Sequence, residues 1–382
     1  MIGAGIVGAA CARELAGAGC AVTVVDRAHP AGATSAHGEG NVLVSDKGPG
    51  PELELALLSA RLWPRTLAEI AERTSIDITR VEWEPKGGIV VATTIDGATQ
   101  LRAFAAVQAA AGVRLTELDR AALADAEPYL TDEVTLAVHY PQDAQVQPAA
   151  AATVLLAAAV AQGAQVRVDC EVLGGTAAHL RTSAGTLGAD LVINAAGPWA
   201  GEVARRLRAP IDVRPRRGEI LVTTPQPPTV FHKVYDADYV GAVGSDESAV
   251  QTSAVVESTK AGTILLGSSR SQAGFDETLR PDVLAAIAVK ALRLFPCLAD
   301  AAVMRTYGGF RPYVPDHLPV IGADPRLPWL WHATGHEGAG IGLSLGTARL
   351  LRQLMLGEVS EVDPEPFRAD RPCVLAAAGS PR

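Results

Sequence analysis

The sequence predicts an α/β fold in which a parallel sheet, built from separated segments, is interleaved with a mixed, largely antiparallel β-sheet. Two observations lead there. Helical and strand spacing alternate in three stretches: Ile6 to Ala16 then Ala21 to Val25, Pro148 to about Gln162 then Gln165 to Val168, and the apolar run Asp190 to Ile193 that enters a small-residue turn. Such alternation is the pattern of parallel strands with covering helices. Residues near 81–140 and 211–305 read differently, as short β-prone runs (Gly88–Ala92, Glu219–Thr223, Thr263–Gly267) between Pro, Gly and Asp turns. That pattern suits antiparallel strands.

Each element has a local cause. Pro148 stands where a helix tolerates a missing N–H, and Gly163 stops the alanine-rich helix that follows. Ala21–Val25 ends in β-branched residues, which prefer strands. The 382 residues carry 33 basic and 42 acidic side chains, a net charge of −9 without a basic stripe. Nucleic-acid binding needs clustered Lys and Arg, so no nucleic-acid partner is expected. No apolar run reaches the ~18–20 residues of a transmembrane helix. Five cysteines are scattered without a CxxC pair, which predicts neither a metal site nor a disulfide framework and fits a reducing, cytoplasmic setting.

The chain opens on "GAGIVG", placing Gly3, Gly5 and Gly8 in GxGxxG order with Ile6 and Val7 between them. The first glycine permits a tight turn, the second admits a pyrophosphate to the backbone, and the third lets helix and strand pack closely. The helix that follows points its positive end at the phosphates. Asp26, ending the next strand, is placed to accept hydrogen bonds from ribose hydroxyls, and Arg27 to reach an adenine or a phosphate. This is a Rossmann-like dinucleotide site, and the motif alone does not separate FAD from NAD. The expected nucleotide-binding part comprises 1–80, 141–210 and 306–382, interrupted by a substrate-binding part at 81–140 and 211–305. The strand feeding the opening loop is almost absent, with only Met1 and Ile2 before Gly3. Because that strand lies centrally in such sheets, its neighbours are expected to have unpaired ladders and the native chain to start upstream; the alternative is an authentic start with another segment filling the gap. With the loop beginning at once, no signal peptide is expected.

Longer strings carry a resemblance: "GATSAHGEGNV" (32–42), "INAAGPWA" (193–200), "GGFRPYVPDHLPVIG" (308–322) and "ATGHEGAGIGLSLGTARL" (333–350). With "VYDADYVGAVGS" (234–245), they resemble the D-amino-acid oxidase-type flavoenzymes, a family that includes glycine oxidase, sarcosine oxidase and amino-acid dehydrogenases. Within it they look especially like the β subunit of D-hydroxyproline dehydrogenase and the hydrogen cyanide synthase flavoprotein. The resemblance covers essentially the whole chain.

It implies FAD, held noncovalently, since the attached cysteine of sarcosine-oxidase relatives has no counterpart near 308–322. Thr34 and Ser35 would bond the pyrophosphate, and Gly40 and Asn41 would pass close to the isoalloxazine ring. Val172 would meet adenine, while Ala196, Gly197 and Trp199 border the nucleotide. The amides of Gly338, Ala339, Gly340 and Ile341 would face the flavin pyrimidine edge, where reduction places negative charge that a helix N-terminus stabilises. Arg311 would hold a substrate carboxylate bidentately; its alternative is an internal salt bridge, for instance to Asp316. Tyr313 and His336 are the other candidates for the reacting end, against plain core and capping roles. The activity implied is oxidation of the carbon–nitrogen bond of a small amino or imino acid by hydride transfer to flavin N5. A dehydrogenase is favoured over an oxidase, working in a hetero-oligomer with electron-accepting subunits. Two other readings stay open from sequence: an NAD-dependent enzyme, and a flavin-binding subunit without turnover.

Overall fold

The protein is described by a computed structural model covering residues 1–237 and 250–375. The string 234–245 therefore lies mostly outside the described residues. The α/β expectation holds. In the first layer, strand Thr23–Val25 runs parallel to Gln165–Arg167, and Val192–Asn194 runs parallel to Leu330–Thr334. Val320–Ala323 closes that edge in antiparallel register.

The first residues lie between the two halves. Ile2 bridges Val25 on one side and Asn194 on the other, both in parallel. Its N–H donates to the Ile193 carbonyl at 2.8 Å and its carbonyl accepts from Ala195 N at 2.9 Å, while Gly3 N donates to Val25 O at 2.8 Å. The central position expected of the first strand is thus filled by this short segment, which pairs with both neighbours.

The helix Ile6–Gly17 packs between Pro148–Ala161 and Gly340–Leu356. Its Ala9, Ala10, Cys11 and Ala12 are fully buried, and residues this small let three helices approach closely. The last helix also packs on Pro51–Arg73: a Cβ on Gly346 would stand 2.8 Å from the Leu55 carbonyl.

Among the described residues, the second layer is one eight-stranded sheet. Its order is Val303–Tyr313, Arg214–Thr223, Ile264–Arg270, Gln251–Ser258, Lys233–Asp236, Gly88–Ala92, Leu136–Tyr140, Thr116–Leu118. Neighbours are antiparallel except Lys233–Asp236 beside Gly88–Ala92, which is parallel. Its strands come from 88–140 and 214–313, so the strand Val303–Tyr313 carries the chain from this sheet back toward the first layer. Helix Pro281–Leu294 covers one face with Val283, Ile287, Ala291 and Leu294. Among the described residues, no helix is long and apolar enough to cross a membrane.

Candidate active site

A cavity of about 610 Å³ opens between the two layers, within the size range of ordinary ligand pockets. Segments far apart in sequence line it: the opening loop, residues 25–41, residues 170–172, the turn after Val192–Asn194, the strand Val303–Tyr313 and the start of the last helix.

At the opening loop, Gly3, Gly5, Ile6 and Val7 border the cavity. Gly3 has φ +106° and a Cβ there would lie 2.4 Å from Ala195 O. Gly8 sits behind the wall, where a Cβ would lie 2.0 Å from Gly3 O. These two positions exclude any side chain for reasons of backbone packing alone. Ser35 lines the cavity with Thr34, and its Oγ accepts from Ile6 N at 2.9 Å, in the first turn of the helix. Thr34 Oγ1 donates to the Phe310 carbonyl at 2.7 Å. Asp26 also faces the cavity, yet its carboxylate accepts from Ala4 N (2.8 Å) and Ala28 N (2.9 Å), so it fastens the glycine turn to the strand end. Arg27 lies with its guanidinium 4.1 Å from the centre of the Trp199 ring, a cation–π contact. Trp199 in turn stacks on Phe275 at 5.2 Å. Val172, Ala196 and Gly197 complete this end.

At the other end, Gly40, Asn41, Arg311, His336, Gly338, Gly340 and Ile341 line the cavity. Ala339 does not reach it. Neither the first helix nor the last is capped by its own N-cap side chain or has an acid in its first turn, although Ser35 takes the Ile6 N–H of the first. The N–H groups left over at such helix starts form ready anion sites. The residues present therefore fit a long nucleotide with a pyrophosphate at one helix start and an electron-rich ring edge at the other.

Arg311 packs beside Gly338, where a Cβ would lie 3.5 Å from its Nε. Its NH1 group donates to Ser269 O at 2.9 Å. Asp316, the acid close by in sequence, is held by Arg371 at 2.7 Å, so the expected alternative pairing to Asp316 does not form. Tyr313 is a correction: it is buried, does not line the cavity, and packs between Arg216 (5.6 Å) and His317 (5.4 Å). His336 borders the cavity, but its imidazole turns into the protein and meets Thr347 Oγ1 at 2.9 Å. Burial pushes its pKa down to about 3, which keeps it neutral and removes it as an acid–base group near pH 7. Next to it, Glu337 is ionised: burial raises its pKa, but His317, Arg216 and Arg270 outweigh that and hold it low. It pairs with Arg216 at 2.5 Å and His317 at 2.9 Å.

Sequence reasoning missed Glu39. It lines the cavity, is 8 % exposed, and its Oε2 accepts from Asn41 Nδ2 at 2.9 Å and lies 3.6 Å from Lys233 Nζ. A lone acid flanked by glycines in "HGEGN" was the available signal. Among the described residues no cluster of His, Cys, Asp or Glu is arranged to hold a metal.

A cleft between a Rossmann-like layer and a mixed sheet, lined by a glycine turn at a helix start, marks a dinucleotide-binding protein. The chain belongs to the FAD dependent oxidoreductase (DAO) family, which matches residues 1–354. Its cofactor is accordingly FAD, and the nicotinamide reading falls. The chain is 28 % identical to a glycine oxidase of Geobacillus kaustophilus, across 97 % of this chain and 96 % of that protein. It is 27 % identical to the hydrogen cyanide synthase subunit HcnC of Pseudomonas aeruginosa, across 98 % and 97 %. The crystal structure of glycine oxidase from Geobacillus kaustophilus superposes with a TM-score of 0.87 at 26 % identity, covering 97 % of both chains.

Proposed function

We propose that this enzyme oxidises the carbon–nitrogen bond of a small amino or imino acid, such as glycine, sarcosine, proline, D-hydroxyproline or an N-substituted amino acid. The observation that carries the reading is Arg311, a guanidinium on the cavity wall beside the Gly338 turn. The similarity to glycine oxidase and HcnC supports it.

FAD, when bound, supplies a hydride acceptor at its N5. The protein's own part is binding and orientation. Arg311 grips the substrate carboxylate and fixes which carbon is presented. Gly3, Gly5, Ile6, Val7, Thr34 and Ser35 hold the pyrophosphate, with Gly8 keeping that turn closed. Asp26, Arg27, Val172, Ala196, Gly197 and Trp199 shape the adenosine end. Gly40 and Asn41, with the amides of Gly338, Gly340 and Ile341, hold the ring end, where the helix start favours negative charge; the Ala339 N–H is taken by the His336 carbonyl. His336 serves as a neutral brace to Thr347. The division into a nucleotide part (1–80, 141–210, 306–382) and a substrate part (81–140, 211–305) accompanies this assignment, with residues 306–313 pairing in the sheet of the substrate part.

FAD is bound noncovalently, and electrons leave to a protein or quinone acceptor rather than to oxygen, in a cytoplasmic hetero-oligomer. The similarity to HcnC, itself a subunit of a larger enzyme, supports the hetero-oligomer. The test is anaerobic addition of a panel of these compounds to the purified yellow protein. One or more should bleach the flavin band, and admitting oxygen should restore it slowly. A flavin band unmoved by every amine and imino acid rejects the reading.

A further inference from the structure

We infer that Glu39 is the group that receives the substrate's amino nitrogen, completing with Arg311 a two-point clamp that selects amino acids over hydroxy acids. This rests on the function proposed above. Glu39 and Arg311 reach the same cavity from different elements, the loop after residue 37 and the strand Val303–Tyr313. They are opposite charges, as the two ends of a zwitterionic α-amino acid require.

The carboxylate is built to stay charged while buried. Burial raises its pKa, but Lys233, the Asn41 amide, Arg311 and Arg270 together bring it below the ordinary value. The neighbours hold one oxygen only. Oε2 accepts from Asn41 and faces Lys233, whereas Oε1 has no hydrogen-bond partner among the described residues. A buried carboxylate oxygen left without a donor costs free energy unless a ligand supplies one. Room for Oε1 exists because residue 267 is glycine: a Cβ there would lie 2.2 Å away. Behind Glu39, Lys233 is fixed between Asn41 Oδ1 (2.6 Å) and Glu257 (2.9 Å). Glu257 is itself fully buried, and burial raises its pKa. Tyr307, also on the cavity wall, is kept protonated by burial and by the nearby Glu39. An amino nitrogen at this end of the cavity therefore meets a fixed anion whose Lys233-facing side is already neutralised.

The experiment is titration calorimetry on the holoprotein kept reduced with dithionite, so that binding is read without turnover. Glycine, sarcosine and proline are the amine probes; acetate and glycolate carry the carboxylate without the nitrogen. In the wild type, the amino acid that bleaches the flavin should bind about tenfold to a hundredfold more tightly than acetate or glycolate. Glu39→Gln should erase that preference while leaving acetate affinity and flavin content unchanged. It should also lower the pH above which anaerobic flavin reduction becomes fast, because a carboxylate beside a bound ammonium stabilises its charged form. Equal wild-type affinity for glycine and glycolate, in a protein that glycine bleaches, overturns the clamp without any variant. An unaltered preference in Glu39→Gln overturns it too. Wild-type protein bleached by no compound of the full amine and imino-acid panel fails at the earlier step and removes the function itself.

Discussion

His336 offers a prediction whose sign and size follow from its surroundings. The imidazole is 3 % exposed and its pKa is pushed down to about 3 by burial, against about 6.5 in an unfolded chain. Between those values the unfolded chain binds a proton that the folded one refuses. Stability is therefore complete above about pH 6.5 and lost as the pH falls, by about 1.4 kcal/mol per pH unit. From about pH 6.5 to about pH 4.5 the loss from this group alone is about 2–3 kcal/mol. Asp143 works in the opposite direction. Burial raises its pKa to about 7, so its contribution declines as the pH rises from about 4 to about 7. The difference between parent and His336→Gln cancels Asp143 and isolates the histidine. The assay is urea unfolding of both proteins, FAD held saturating, at half-unit steps from pH 4.5 to 7.5. The gap between them should narrow or reverse toward acid pH. Parallel curves across the whole range would show that His336 is neither buried nor neutral as described.

Other consequences follow from the same contacts. Gly8→Ala forces a Cβ to 2.0 Å from Gly3 O, so the purified protein should carry almost no FAD and unfold at a lower temperature. Gly5→Ala meets only Ser35 Oγ at 3.2 Å and should fold while binding FAD more weakly, as flavin fluorescence titration would show. Arg311→Lys replaces a fork by a point charge, and KM should rise about tenfold to a hundredfold with the flavin spectrum retained; steady-state kinetics with a bleaching substrate decide it. Glu337→Gln removes the carboxylate paired with Arg216, which is 1 % exposed. Unfolding free energy should drop by about 3–5 kcal/mol, measured in urea at pH 7.

Much of the fold was legible because its causes are local. Helix Ile6–Gly17 begins where the glycines demand, and Pro148 and Gly163 mark the next helix within a residue of its observed span. Gly88–Ala92 was read with the observed limits. Helix Pro51–Arg73 escaped notice because Pro64 interrupts it, and proline in a helix interior reads as a stop. Helices Ile95–Ala110 and Pro281–Leu294 lie in stretches whose short β-prone runs dominated the reading. At the site, Gly3 and Gly8 were readable because backbone sterics forbid alternatives, and Gly338 to Ile341 because they lie in a string that resembles the flavoenzymes. Tyr313 was not. It shares a strand face with Arg311 by two-residue periodicity, but about 7 Å further along the strand it has passed the cavity. His336 likewise looked polar and available, whereas only the fold shows Thr347 taking its ring. Glu39 was overlooked because its meaning depends on Lys233 and Arg311, both distant in sequence.

In the function proposed above, two helix starts, near Gly5 and near Gly340, grip one flavin nucleotide. Hydrogen exchange of the apoprotein against the FAD-reconstituted protein tests this most directly. Backbone amides in both 3–8 and 337–342 should slow together when FAD is added, with the same dependence on its concentration. Protection confined to one segment, or arriving at two different FAD concentrations, would contradict it.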